Sequence, residues 1–98
     1  MSVRYVLQGI AFEWDRRKAE INLSNHGVSF ETACEAFLDP FVRVVDAGSE
    51  DEARDAVIGM TLDSHLLFVV HVEQGEEAYR IISARPATPD ERRFYEND

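Results

Sequence analysis

Apolar positions along this chain recur with two periods, and the change from one to the other divides it. Phe30, Ala33, Cys34, Phe37 and Leu38 fall at i, i+3, i+4, i+7 and i+8, the stripe of an amphipathic helix. Ser29 precedes this helix as its N-cap, Glu31 suits the positive end of its dipole, and Asp39-Pro40 ends it. Before it, Asp15 caps a helix over Arg16–Asn25, closed at Asn25-His26-Gly27 where glycine takes a left-handed conformation. Ahead of that helix, Gly9–Trp14 reads as a short strand anchored by Phe12 and Trp14. Residues 1–8 fit either an extension of that strand or a loose arm.

From Phe41 the period is two. Phe41–Asp46 and Arg54–Leu62 read as strands separated by the acidic loop Ala47–Glu52, and Gly59 marks a bulge or a close approach. Asp63-Ser64 reads as a two-residue turn. His65–Glu73 contains Leu66-Leu67-Phe68-Val69-Val70, apolar on both faces, which predicts a covered central strand. After Gln74-Gly75-Glu76 comes the strand Tyr79–Arg85. Strict alternation there places Arg80, Ile82 and Ala84 on one face, and Tyr79, Ile81, Ser83 and Arg85 on the other. Connections this short allow only an antiparallel meander of four strands. Thr88-Pro89-Asp90-Glu91 then opens a last helix with a capping threonine, proline at its first position and a glutamate three residues on. The expected fold class is α+β: a short N-terminal strand, two helices, a four-strand meander and a C-terminal helix.

Composition narrows the class. Ninety-eight residues, 45% of them hydrophobic, suffice for one small core, and no apolar run approaches the ~20 residues of a membrane span. The first ten residues do not read as a secretory signal. One cysteine, Cys34, excludes an internal disulfide and fits a reducing cytoplasm; its place in the helical stripe makes it a core residue rather than a nucleophile. The net charge of −9 argues against non-specific coating of nucleic acid and suits a basic protein partner. Nine arginines stand against a single lysine, Lys18, so the cations present favour fixed contacts to carboxylate or phosphate.

No Cys/His metal spacing, phosphate-binding glycine loop or Gly-x-Ser-x-Gly elbow occurs, so no metal or cofactor is expected. Arg80 sits between apolar neighbours, where a guanidinium is costly unless a carboxylate or phosphate meets it. It either shapes the sheet by pairing internally or joins Ser83 and Arg85 in holding an anion. His26 either satisfies carbonyls at a helix end or exchanges a proton near neutral pH. Glu52 and Arg54 form either an exposed ion pair or a base beside a phosphate-gripping arginine. Tyr95 is either a donor to phosphate or a lid over the sheet, and His65 and His71 read as structural.

Phe12-Glu13-Trp14-Asp15, Asn22-Leu23, His26-Gly27-Val28, Phe30, Ala33, Phe37 and Asp39-Pro40 together resemble the opening of BrnT-type toxins. Glu52, Arg54 and Gly59, then Arg80–Arg85 with Ala87-Thr88, Glu91-Arg92-Arg93 and Tyr95, extend the likeness over about residues 11–96. The resemblance implies a RelE-like fold and a bacterial type II toxin–antitoxin module. In it the toxin is a cytoplasmic, metal-independent endoribonuclease that inhibits translation. It also implies a BrnA-like antitoxin with a ribbon-helix-helix domain, a heterotetramer of the two proteins, and contact with operator DNA only through the antitoxin. Carried onto this chain, it makes His26, Glu52, Arg54, Arg80 and Arg85 the catalytic candidates and Ser83, Arg92 and Tyr95 the RNA or phosphate ligands. The chain departs from the family pattern in three places. Asn25 stands where lysine usually precedes the His-Gly pair, Gly48 where a histidine commonly precedes the loop serine, and Pro86, Pro89 and Asp90 in a segment that is often basic. A toxin-like fold that has lost catalysis and serves as an antitoxin-binding or regulatory module is the alternative.

Overall fold

The computed structural model describes residues 1–48 and 54–97. Six strands and three helices follow in the order β1 (Ser2–Leu7), β2 (Ile10–Asp15), α1 (Arg16–His26), α2 (Phe30–Glu35), β3 (Arg43–Asp46), β4 (Asp55–Met60), β5 (Leu66–Gln74), β6 (Ala78–Pro86) and α3 (Pro89–Glu96). The strands form one mixed sheet in the order β1-β2-β6-β5-β4-β3. The four-strand antiparallel meander is present as expected, and β2 lies parallel to β6 at its flank. Among the described residues no helix is long and apolar enough to cross a membrane.

Several boundaries differ from the sequence reading, each for a local reason. Residues 1–8 are neither a loose arm nor an extension of one strand; Ser2–Leu7 pairs antiparallel with β2 in a hairpin. Its turn uses positive φ at both central residues, Gln8 (52°) and Gly9 (79°), which suits the twist of two paired strands. The Asp63-Ser64 turn is longer than expected: Thr61 N–H donates to His65 O and Ser64 turns left-handed at φ 64°. The helix after Ser29 tightens into a 3-10 turn at Ala36–Leu38, and β3 starts only at Arg43. Asp39 holds the intervening corner, accepting from Phe41 N–H (2.9 Å) and Met60 N–H (2.7 Å). Gly59 marks a close approach: a Cβ there would lie 2.3 Å from the Ala36 carbonyl oxygen.

The bulge sits instead in β6. Val70 pairs with Ser83 but His71 pairs with Ile81, so Ile82 is an extra residue. This overturns the strict alternation assumed for Tyr79–Arg85. Register now puts Arg80, Ser83 and Arg85 on the same face as Val72, Val70 and Phe68, while Ile81 and Ala84 point into the core.

That inner face packs against α1 and α2. Phe12, Trp14, Phe30, Ala33, Cys34, Val57, Val69, Ile81 and Ala84 are all buried in it. Trp14 meets Phe30 edge-on at 5.8 Å between ring centroids, and Phe37 meets both Phe12 and His71 at 5.0 Å. Cys34 is fully buried and burial pushes its thiol far up, consistent with a packing role. On the outer face α3 lies against β4, where Ala56 and Ile58 are buried. The Thr88–Glu91 capping box starts α3, and Tyr95 pins it by donating to Asp39 Oδ2 at 2.5 Å.

One polar side chain lies at the centre of this arrangement. β2 pairs with β6 only at Phe12–Tyr79 and Glu13–Arg80, because beyond Asp15 the chain turns into α1. The flank of β6 left open is met by buried Asn22. Its amide nitrogen donates to Ala84 O (2.8 Å) and Val28 O (3.0 Å), and its oxygen accepts from Ala84 N–H (3.1 Å). Asn22→Ala strips partners from three buried backbone groups and is expected to cost about 3 kcal/mol in a urea melt. Asn22→Asp keeps the acceptor, loses both donors, and should recover little of that loss.

His71 is 2% exposed, with Nδ1 unpartnered and the rings of Phe37 and Tyr79 packed edge-on against it. Burial lowers its pKa below the ordinary 6.5, against a smaller opposing pull from Val69, Asp55 and Glu73. The unfolded chain therefore takes up a proton that the folded one refuses, and stability is expected to fall as pH drops from about 6.5. The lowered carboxylates Asp15, Asp39 and Glu91 add their loss only below about 4.5. Urea midpoints between pH 7 and 5 should decline for the wild type and stay nearly level for His71→Phe.

Candidate active site

The outer face of the sheet gathers arginines. Arg80, Ser83 and Arg85 project from β6 on that face, Arg43 pairs with Ile58 on it, and alternation from Ala56 and Ile58 assigns Arg54 to it as well. The bulge is what unites Arg80 with Arg85, since regular alternation would set them on opposite sides.

Each of the two arginines on β6 meets a carboxylate. Arg80 stands directly across the parallel pair from Glu13, and its Nη1 donates to Glu13 Oε1 at 3.1 Å. Both side chains remain about a quarter to a third exposed. This is the internal carboxylate that a guanidinium at this position requires, and it uses one of the five donors of Arg80. Arg85 is more fully engaged. It binds both oxygens of Glu91 at 2.8 and 2.9 Å, donates to Pro86 O, and lies 4.3 Å over the Phe68 ring. The Glu91 hydrogen bonds raise the pKa of Arg85, and Arg85 in turn lowers that of Glu91. Arg85 thus fastens α3 to β6. On the far strand Arg43 lies over the Phe94 ring and donates to the Asn97 carbonyl.

Tyr95 spends its hydroxyl on Asp39, and burial together with that carboxylate raises its pKa to about 12. It anchors a helix rather than offering a free phenol. Glu52 lies outside the described residues; Arg54 closes the loop, its carbonyl accepting from Ala47 N–H at 2.9 Å.

His26 ends α1, and Gly27 follows in the left-handed conformation (φ 70°), its N–H returning to Leu23 O. The helix end is thus capped by the Gly27 backbone. A cleft of about 240 Å³ brings His26 together with Ser83 and Ile82 of β6 and with Lys18 and Asn25 of α1. Lys18, Asn22 and Asn25 fall at i, i+4 and i+7, one face of a helix, and Asn22 is the residue bound to Ala84. A second cleft of about 480 Å³ lies on the other side of His26. His65 and Arg92 line it with Ser29, Thr32 and Pro86. His26 and Arg92 therefore share one cleft, and His26 and Ser83 another.

Sequence reasoning missed Lys18 and Asn22 and set His65 aside as structural. The polar spacing of Lys18, Asn22 and Asn25 on a helix with no regular apolar stripe was the available signal. His71 is structural as expected. Among the described residues no group of three or more His, Cys, Asp or Glu side chains is placed to hold a metal ion.

The profile of the family described as the BrnT ribonuclease toxin of type II toxin–antitoxin systems matches residues 14–91. No protein of curated function matches the chain. Among solved structures, the chain is similar to the 1.1 Å crystal structure of the Brucella abortus ribonuclease toxin BrnT. The two are 29% identical, with a TM-score of 0.64 over 76% of this chain and 92% of that one. A family match over most of the chain and a shared fold with a solved member agree: this chain belongs to the BrnT ribonuclease toxins of type II toxin–antitoxin systems.

Proposed function

We propose that this chain is a metal-independent endoribonuclease that cuts RNA and thereby suppresses translation, held in check by a BrnA-like ribbon-helix-helix antitoxin. The observation that carries the reading is the junction at Ser83. There the bulge sets Arg80 and Arg85 on one face, and a cleft joins their strand to His26.

The reaction needs few parts. The ribose 2′-oxygen attacks the adjacent phosphorus, the bond from phosphorus to the 5′-oxygen breaks, and one proton moves from the first oxygen to the second. The products are a 2′,3′-cyclic phosphate and a 5′-hydroxyl. His26, exposed at its corner and beside Ser83, is the proton carrier, and Glu52 is the second acid–base candidate. Arg80 turns its remaining donors toward the phosphorane, where charge develops. Ser83 donates to a phosphate oxygen and Arg54 adds a further positive charge on the same face. Arg85, engaged by Glu91, positions α3 and so holds Arg92 against the His26 cleft. Tyr95 supports the same helix through Asp39.

A second reading has its own observation. Both strand arginines are already matched by carboxylates, Glu13 and Glu91. A chain in which those pairs never open would be a catalytically lapsed toxin fold that binds an antitoxin and regulates.

Induced expression of the chain alone in a bacterial host separates the two. Growth arrest with loss of intact RNA is expected, and purified protein should cut RNA in excess EDTA. Arg80→Ala should reduce cleavage by about 100-fold or more. Arg80 and Glu13 both keep contact with water, so the variant is expected to stay folded, which circular dichroism checks. Normal growth with folded, soluble wild-type protein decides for the lapsed reading.

A further inference from the structure

We infer that the two clefts meeting at His26 form one groove for single-stranded RNA, in which Lys18 and Arg92 hold phosphates and His65 stacks on an unpaired base. The inference rests on the nuclease reading above and names how its substrate is held.

The first argument is the placement of charge. The chain carries 19 acidic residues against 10 basic ones, yet among the described residues no carboxylate lines either cleft. Two of the other clefts differ, while a third is lined by Phe41, Val42, Arg43 and Tyr95. Glu73, Glu76 and Glu77 line the one beside Gly9, and Glu20 and Glu31 line the one beside Trp14. The single lysine of the chain stands at one end of the acid-free groove and Arg92 at the other. Arg92 has only a loose contact with Glu96, at 3.8 Å, within its own helix. For a polyanion this groove is a low-repulsion path on an acidic surface.

The second argument is the chemistry of the walls. The larger cleft sets the exposed imidazole of His65 over a floor of buried Val28, Leu66 and Leu67. An apolar floor with an aromatic edge and hydroxyls at Ser29 and Thr32 fits a planar base with hydrogen-bonding edges. The larger cleft, about 480 Å³, has room for a planar base with its ribose, and the smaller, about 240 Å³, for a phosphate. A duplex keeps its bases stacked and paired, so they cannot enter such clefts. His26 lies where the two clefts join, so an RNA strand laid through both passes the proton carrier. Lys18 also supplies a positive charge in the cleft where Asn25 provides none.

The test uses the purified full chain and a 2′-O-methylated hexanucleotide, which binds without being cut because the attacking hydroxyl is blocked. Amide shifts are expected around His26, Val28, Leu67, Ser83 and Ala87. Lys18→Ala and His65→Ala should each weaken binding by about tenfold. Lys18→Ala should also reduce the slope of log affinity against log salt by about 0.7. Arg17→Ala, which makes the same change in net charge outside both clefts, is the control and should leave affinity nearly unchanged. A Lys18→Ala effect no larger than that of Arg17→Ala overturns the groove, as do shifts confined to Phe68, Val70 and Val72 on the outer face. Unmodified RNA keeps this result separate from the nuclease reading. Cutting with unaltered KM in Lys18→Ala and His65→Ala removes the groove and leaves the nuclease. Binding in the clefts without cutting of unmodified RNA keeps the groove and removes the nuclease.

Discussion

The carboxamide of Asn22 does the work of a missing strand. Where β2 leaves the sheet to become α1, β6 runs on with one flank unpaired, and a buried flank without partners costs roughly 1–3 kcal/mol for each lost bond. Asn22 supplies both a donor and an acceptor to Ala84 and ties the Val28 carbonyl into the same knot. Three separate pieces are fixed at once: the axis of α1, the path of the chain after Gly27, and the position of β6. His26 lies four residues beyond Asn22 on the same helix, and Ser83 lies one residue before Ala84. A leucine at position 22 would satisfy the core but leave the geometry between those two residues unset.

The bulge at Ile82 is the second constraint, and it turns a structural residue count into chemistry. Without the bulge, regular alternation over the same residues would point Arg85 into the core, where a guanidinium would lie among buried side chains without water. With it, both strand arginines emerge on the outer face and the bulged Ile82 points toward the cleft shared by Lys18 and His26. The two arginines then diverge in role. Arg80 keeps one shared contact with Glu13 and partial exposure, whereas Arg85 is held by two carboxylate oxygens, a carbonyl and an aromatic face. The pair thus divides between a residue with one carboxylate contact and one fastened to the helix beside it.

Much of the architecture was legible because it rests on local signals. The stripe from Phe30 to Leu38, the capping box at Thr88 and the five apolar residues from Leu66 to Val70 each carry their own physical cause. The N-terminal hairpin was missed because Gln8-Gly9 is a weak turn signal and half of β1 is solvent-facing, with Arg4 and Val6 exposed. The bulge could not be read, since which residue is extra depends on the register of a partner strand more than ten residues away. Asn22 was visible as a letter but not as a bond: its three partners include Ala84, 62 positions along the chain. The candidate site divides the same way. Arg80 and His26 follow from rules about buried charge and helix ends, while Lys18 and His65 acquire meaning only when folding places them around one corner.

Overall charge is the point at which composition and geometry pull apart. A net charge of −9 speaks against nucleic acid when charge is counted over the whole chain. Yet at physiological salt exposed charges further apart than about 8 Å are largely screened from one another. Glu73, Glu76 and Glu77 line a cleft beside the β1–β2 turn, whereas Lys18, His26 and Arg92 line clefts at the opposite end of β6. A phosphate entering beside His26 therefore responds chiefly to the cations there. The acids elsewhere slow its approach but do not occupy its site. They also give the chain a separate acidic surface, of the kind that suits a basic protein partner.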